Sequence, residues 1–420
     1  MTSSEVCSNI RQVFTDSQVH HILKQVLGNE SWQLLRCDLQ RAAEGLTGFL
    51  GDHYRTTLHV RVGESIKTVQ LFVKTMPLMN KNKASFIDKG NFFRREMLTF
   101  QVFENIGGDH GPNPWRTKAY IFNESLLVMP DQTVFGYTQR HYLDTLDLPH
   151  VLTVTASIAR FHSSYANFAT KKSVNRQRPY NFLDEYGHLM KEPTFYDSPW
   201  LRACGKLSAN LLHTFSKKYN NDNIPDLEEK LTKLYIESSG SFRDYNDTLN
   251  VLIHRDLWIN NIMFKYADGV PVNALIIDFQ CLRYGPPAFD LNIFLYLTTT
   301  RNFREQNEMK VFEHYYSVFT ESLDDATKHR LKELGYTYEE FLSWCEKSRM
   351  FAYVLAIGIF PYVLMSPVAA SRYFDDPLTY DRYLEDRNQP VIEYGKQCPV
   401  YRDRQVDVIE EFVERYIVNK

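Results

Sequence analysis

The chain has 420 residues, 44% of them apolar and 24% charged, with a formal net charge of −3. That length exceeds one average domain and suits a two-lobed globular protein with a large buried core. No basic run or Arg-rich arm offers a nucleic-acid footprint. The six scattered cysteines read as free thiols rather than as a disulfide framework or metal site.

Residues 1 to about 35 read as a helical leader, with Val13, Val19, Ile22, Leu23 and Val26 near helical spacing. They lack the basic and apolar regions of a signal peptide, and the chain is assigned to the cytoplasm. From 36 to 76 the texture is β-like. Thr56 to Val62 alternates, Gly63 turns the chain, and Val69 to Val73 forms a second run. A helix is expected over 90–106, ending at Gly107-Gly108, followed by strands over 118–122 and 125–129 closed by Pro130. Residues 150–250 read as mainly helical, with a Pro-rich polar connection over 169–200. The segment 251–290 is β-like again, and 291–420 returns to helix around a polar loop at 375–390. The longest apolar run, Met350 to Met365, is too short for a bilayer and contains Pro361; it reads as a core helix, with no membrane span.

The chemistry is concentrated in His254-Arg255-Asp256-Leu257-Trp258-Ile259-Asn260-Asn261, followed by Ile276-Ile277-Asp278-Phe279-Gln280. Phosphoryl transfer asks for a carboxylate to orient the attacking hydroxyl and for oxygen ligands that hold Mg²⁺ on the phosphates. Asp256 suits the base, and Asn261 and Asp278, spaced 17 residues apart, suit the metal. Lys74 ends an apolar strand and Glu96 follows 22 residues later on a helix, the pairing that fixes a phosphate-binding lysine. A glycine-containing stretch from Gly45 to Thr56, including Gly51, Asp52 and His53, lies where a phosphate-covering loop belongs. An ordinary glycine hairpin would look the same.

Together with Tyr284-Gly285-Pro286-Pro287-Ala288-Phe289-Asp290-Leu291 and Ile158-Ala159-Arg160-Phe161-His162, these segments resemble the ecdysteroid kinase-like (CHK kinase-like) family, related to choline kinases and aminoglycoside phosphotransferases. The resemblance covers roughly residues 45–300. It departs where Arg255 replaces a usual glycine, at His53 and Thr56 in the glycine loop, and at the hinge Met129-Pro130-Asp131. It implies an α+β, bilobal, protein-kinase-like fold: a small lobe of antiparallel sheet plus helix (1–130) and a large, mainly helical lobe (131–420). It further implies ATP in the cleft near Met129 and Asp131, with His254 and Asp290 supporting the catalytic loop.

Asp290 follows Asp278 by only 12 positions, and no APE motif follows, which leaves no segment for docking peptides. The acceptor is therefore expected to be a small-molecule hydroxyl, with no obligate protein partner. An ecdysteroid or other apolar alcohol is favoured, on the abundance of aromatics such as Phe294, Tyr296, Phe351, Tyr353, Phe360, Tyr362 and Tyr373. A choline- or ethanolamine-type kinase, recruiting Tyr380-Asp381 and Tyr383, and a nucleotide-binding pseudokinase scaffold are the alternatives.

Overall fold

Alternation along three strands organises the first lobe of the computed structural model, which describes residues 14–28, 31–42, 50–77, 80–219, 223–376 and 378–419. Helix α1 (Asp16–Leu27) is capped by Thr15 and Gln18 and packs Ile22 and Leu23, both fully buried, onto one face of a sheet. The sheet is built from β1 (Trp32–Arg41), β2 (Asp52–Val62) and β3 (Ser65–Thr75). After α2 (Lys81–Lys89) and α3 (Phe92–Ile106) it is completed by β4 (Ile121–Phe122) and β5 (Leu126–Pro130). The strand order is β1-β2-β3-β5-β4, antiparallel throughout. Because side chains alternate with period two, Leu58, Val60, Leu71, Val73 and Val128 pack with α1. His53, Arg55, Phe72, Lys74, Leu127 and Met129 line a cavity on the opposite face.

The chain continues through β6 (Tyr137–Thr138), the long α4 (Leu148–Arg176), α5 (Phe182–Tyr186), α6 (Pro199–Phe215) and α7 (Leu227–Ser239). Short strands follow: β7 (Val251–Ile253), β8 (Ile262–Ala267), β9 (Val270–Ile276) and β10 (Arg283–Gly285). They pair as β10-β7 and β6-β8-β9, and the loops between them carry the catalytic motifs. The remainder is helical: α8 (Ala288–Thr298), α9 (Arg301–Glu321), α10 (Asp325–Glu333), α11 (Tyr338–Val363), α12 (Pro367–Phe374), α13 (Tyr380–Glu385), α14 (Asn388–Gln397) and α15 (Pro399–Val413). The arrangement is the expected α+β, two-lobed, protein-kinase-like one.

Several expectations need correcting. The strand texture begins at Trp32, inside the expected leader, and α4 runs to Arg176 through the first eight residues of the supposed connection. The expected loop at 375–390 holds α13, and α2 was not anticipated. The expected strand over 118–122 shrinks to Ile121–Phe122. Val13 and the glycines Gly45 and Gly48 fall outside the described residues, as does Cys7; among the described residues the five other cysteines form no disulfide. Met350 to Met365 belongs mostly to α11, with Pro361 in the last turn, and its residues are largely buried. Among the described residues no single helix is long and apolar enough to cross a membrane.

Candidate active site

The end of β3 carries Lys74 into the cleft, where it is 2% exposed. Its three N–H groups are all engaged: Nζ donates to Glu96 Oε2 (2.7 Å), Asp278 Oδ1 (2.8 Å) and Gln280 Oε1 (2.8 Å). Glu96, on α3, is fixed from its other oxygen by the backbone N–H of Phe279 at 3.2 Å. Gln280 closes the group, donating from Nε2 to Asp278 Oδ2 at 3.0 Å. Burial works against the Lys74 charge, but Asp278 and then Glu96 outweigh it and hold the ammonium above its ordinary range. Gly51 packs against the stem of this lysine, and a Cβ there would lie 3.3 Å from Lys74 Cγ and Cε.

The loop expected to carry the base leaves β7 at Ile253 and is held from below. Asp290, fully buried on the first turn of α8, accepts the backbone N–H groups of His254 (2.6 Å) and Arg255 (2.7 Å) and the Nε2–H of His162 (3.1 Å). His254 donates from Nε2 to the Ile277 carbonyl (2.9 Å) and accepts the Asp256 N–H at Nδ1 (3.2 Å), the neutral tautomer. Asn261 donates from Nδ2 to the Asp256 carbonyl (2.8 Å) and to Asp256 Oδ2 (3.1 Å). Burial, then the charge of Asp278, pushes the Asp256 carboxyl up to about 7. Arg255 and Asp278 both hold φ of +68°, a conformation rare for residues with a Cβ and concentrated where function fixes the backbone.

Lys74, Glu96, Asp256, Asn261, Asp278, Met129 and His53 thus meet on one cavity of about 410 Å³. Burial, then Lys74, pushes the His53 imidazole down to about 4, so it is neutral. Asp52 and Asp131 do not line that cavity. Asp52 alternates away from His53 along β2. Asp131 caps the turn after β5 through Thr133 and holds Arg55, whose Nε donates to it at 2.9 Å. Arg55, a wall residue, carried no sequence signal; Gln280 stood beside the Asp278 motif without a role.

The far end of the cavity is apolar. Phe195 and Trp200 meet edge to face at 5.0 Å, opposed by Leu355, Ile359 and Val363 of α11 and by Phe374. Gly358 makes room: a Cβ there would come within 2.9 Å of Trp200. Of the aromatics singled out in the sequence, Tyr362 and Tyr380 line the wall, while Phe294, Tyr296, Phe351, Tyr353 and Phe360 are core residues. The carboxylates nearby are tied elsewhere: Asp375 to Lys83 (2.7 Å), Asp381 to Asn82 (3.0 Å) and Asp386 to Lys206 (3.0 Å).

A family model described as the ecdysteroid kinase-like family matches residues 46–328. No curated protein matches the chain. Among solved structures, a Plasmodium vivax ethanolamine kinase is 12% identical over 88% of this chain and 83% of its own, with a TM-score of 0.41. A GDP complex of an aminoglycoside 2′-phosphotransferase is 11% identical over 97% of this chain and 100% of its own (TM-score 0.41). An aminoglycoside phosphotransferase of Streptomyces rimosus, in complex with ADP and streptomycin, is 11% identical over 82% and 99% (TM-score 0.30).

Proposed function

The chain belongs to the ecdysteroid kinase-like family and is a small-molecule phosphotransferase acting on a hydroxyl group, and we propose that it moves the γ-phosphate of ATP onto an apolar alcohol, in the manner of a polyhydroxylated steroid. In this reading residues 1–130 form the nucleotide lobe and 131–420 the catalytic and acceptor lobe. The end of β5 at Pro130 supports that division.

Lys74, locked by Glu96, binds the α/β-phosphates as a buried point charge. Asp256 is the base. As the acceptor oxygen bonds to the γ-phosphorus and the bond to the β-phosphate oxygen breaks, the hydroxyl proton passes to its carboxylate. Asn261 and Asp278 would hold Mg²⁺. The fit rests on the Asp278 carboxylate, which is 20% exposed on the cavity wall and already carries a cation, Lys74 Nζ, on one oxygen. When bound, that ion supplies charge neutralisation on the phosphates.

The observation that carries the acceptor class is the apolar end of the cavity. Among the described wall residues the carboxylates are Glu96, Asp256 and Asp278, all in the catalytic group. A quaternary ammonium asks for a desolvated aromatic cage with a carboxylate of its own; an apolar ring system asks only for buried area, worth about 25 cal/mol per Å². The test is ATP consumption with a polyhydroxylated steroid against choline at equal concentration. The steroid should turn over faster. Choline phosphorylation without steroid turnover overturns the reading in favour of a choline- or ethanolamine-type kinase, and ATP binding without transfer to either favours a scaffold.

A further inference from the structure

The segment between α5 and α6 has only a short 3₁₀ turn, Gly187–Leu189, yet it is among the most firmly tied stretches near the cleft. Three buried arginines reach it from three parts of the catalytic apparatus. Arg95, the neighbour of Glu96 on α3, donates to the carbonyls of Leu189 (3.1 Å) and Lys191 (3.4 Å), and also to that of Gln280 (3.0 Å). Arg283, on β10, donates to the Met190 carbonyl and to Glu192 Oε2 (2.7 Å). Arg255, in the catalytic loop itself, donates to Glu192 Oε1 at 2.8 Å.

Glu192 is where these ties converge. Besides the two guanidiniums, its Oε1 accepts the backbone N–H groups of Thr194 (3.2 Å) and Phe195 (3.1 Å). The carboxylate therefore sets the turn that places Pro193, Thr194 and Phe195 on the cavity wall, and Arg255 lies 4.8 Å over the Phe195 ring. Burial alone would raise Glu192, but Arg255 and Arg283 outweigh it and hold it near 2, so it stays charged. Through Arg255 the same carboxylate is tied to the residue next to Asp256.

We propose that Glu192 is a positioning residue for the acceptor, registering the Pro193–Phe195 wall against the catalytic loop through Arg255 so that a bound hydroxyl meets Asp256. This rests on the reading of Asp256 as base and of the apolar end as the acceptor seat. The test uses Glu192→Gln in the full chain, which removes the charge and keeps the length.

With a polyhydroxylated steroid as acceptor, kcat/KM for the steroid should fall about tenfold or more, with kcat falling along with it. Affinity for a fluorescent ATP analogue should stay within about twofold of the parent. An unchanged kcat and kcat/KM for the acceptor, or a parallel loss of nucleotide affinity, overturns the proposal. Amide hydrogen exchange separates this from failure of the steroid reading, since it needs no acceptor. In Glu192→Gln the amides of Thr194 and Phe195 should exchange about tenfold faster or more, while those of Val251–Ile253 keep the parent rate. Unchanged exchange at 194–195, or equal acceleration at both places, overturns the proposal even if the parent phosphorylates the steroid. If the parent leaves the steroid untouched but the exchange pattern holds, the wall stands and the acceptor class falls.

Discussion

At Lys74 every donor is spoken for by Glu96, Asp278 and Gln280. A nucleotide that recruits this ammonium must compete with Asp278, while Glu96, on the other side, remains to orient it. Lys74→Met leaves two carboxylates facing each other without their shared cation, so ATP-analogue affinity should fall by tenfold or more, on the order of what a lost charged contact costs. Asp256→Asn should behave differently: transfer to the acceptor should drop by about 10²–10⁴-fold with nucleotide affinity nearly intact. Comparing analogue titrations with turnover in the two variants checks both. Transfer by Asp256→Asn near the parent rate, or parent affinity in Lys74→Met, would remove that residue from its role.

These residues were legible because fixed spacings tie them together. Asp256, Asn261 and Asp278 lie on one short loop and the next, and Lys74, at the end of β3, precedes Glu96 on α3 by 22 positions, across α2. Arg55 and Glu192 were not, because their partners lie 76 and 63 residues away, at Asp131 and Arg255, where no local pattern links them.

Among the elements, α8 shows how a helix start serves a loop. Asp290 sits in its first turn, completely buried, and spends both oxygens on the two backbone N–H groups that open the catalytic loop. Asp290→Ala would strand those donors in the core, at about 1–3 kcal/mol each. The denaturation midpoint should fall and transfer should be lost with it. Asp290→Asn, which keeps one accepting oxygen, should fall less far. Equal midpoints for Asp290→Ala and the parent would refute the brace.

Element boundaries were less legible than this contact. The polar Lys171, Lys172, Asn175 and Arg176 look like connection, yet they ride the solvent side of α4 after its core face has been set by Phe161, Tyr165 and Ala169. Likewise Tyr380 and Tyr383, in a stretch whose charges suggested a loop, are buried side chains of a short helix. Local polarity misleads where tertiary packing supplies the apolar face. The same difficulty hid the apolar wall of the cavity: Phe360 and Tyr362 are two positions apart on α11, and only the fold assigns one to the core and the other to the cavity.

For the molecule as a whole, the cavity is walled by both lobes: Lys74, Phe72 and Met129 from the sheet, Asp256, Asn261 and Asp278 from the loops below. A ligand that touches both sides binds only when they are folded against each other, so its binding free energy is added to the stability of the pair. At a hundred times its Kd, a nucleotide contributes about 2.7 kcal/mol, which should appear as a rise of several degrees in Tm. If Mg²⁺ joins Asn261 and Asp278 to the phosphates, chelation with EDTA should remove much of that rise. Asp278→Ala should show a smaller rise that EDTA barely changes, because one neutral amide oxygen is a poor site for a hard cation. Thermal unfolding of parent and variant, with ATP in the presence of Mg²⁺ or EDTA, measures all four cases. The same EDTA sensitivity in both proteins would take the metal away from Asp278. No rise with ATP in the parent would take the nucleotide out of the cleft.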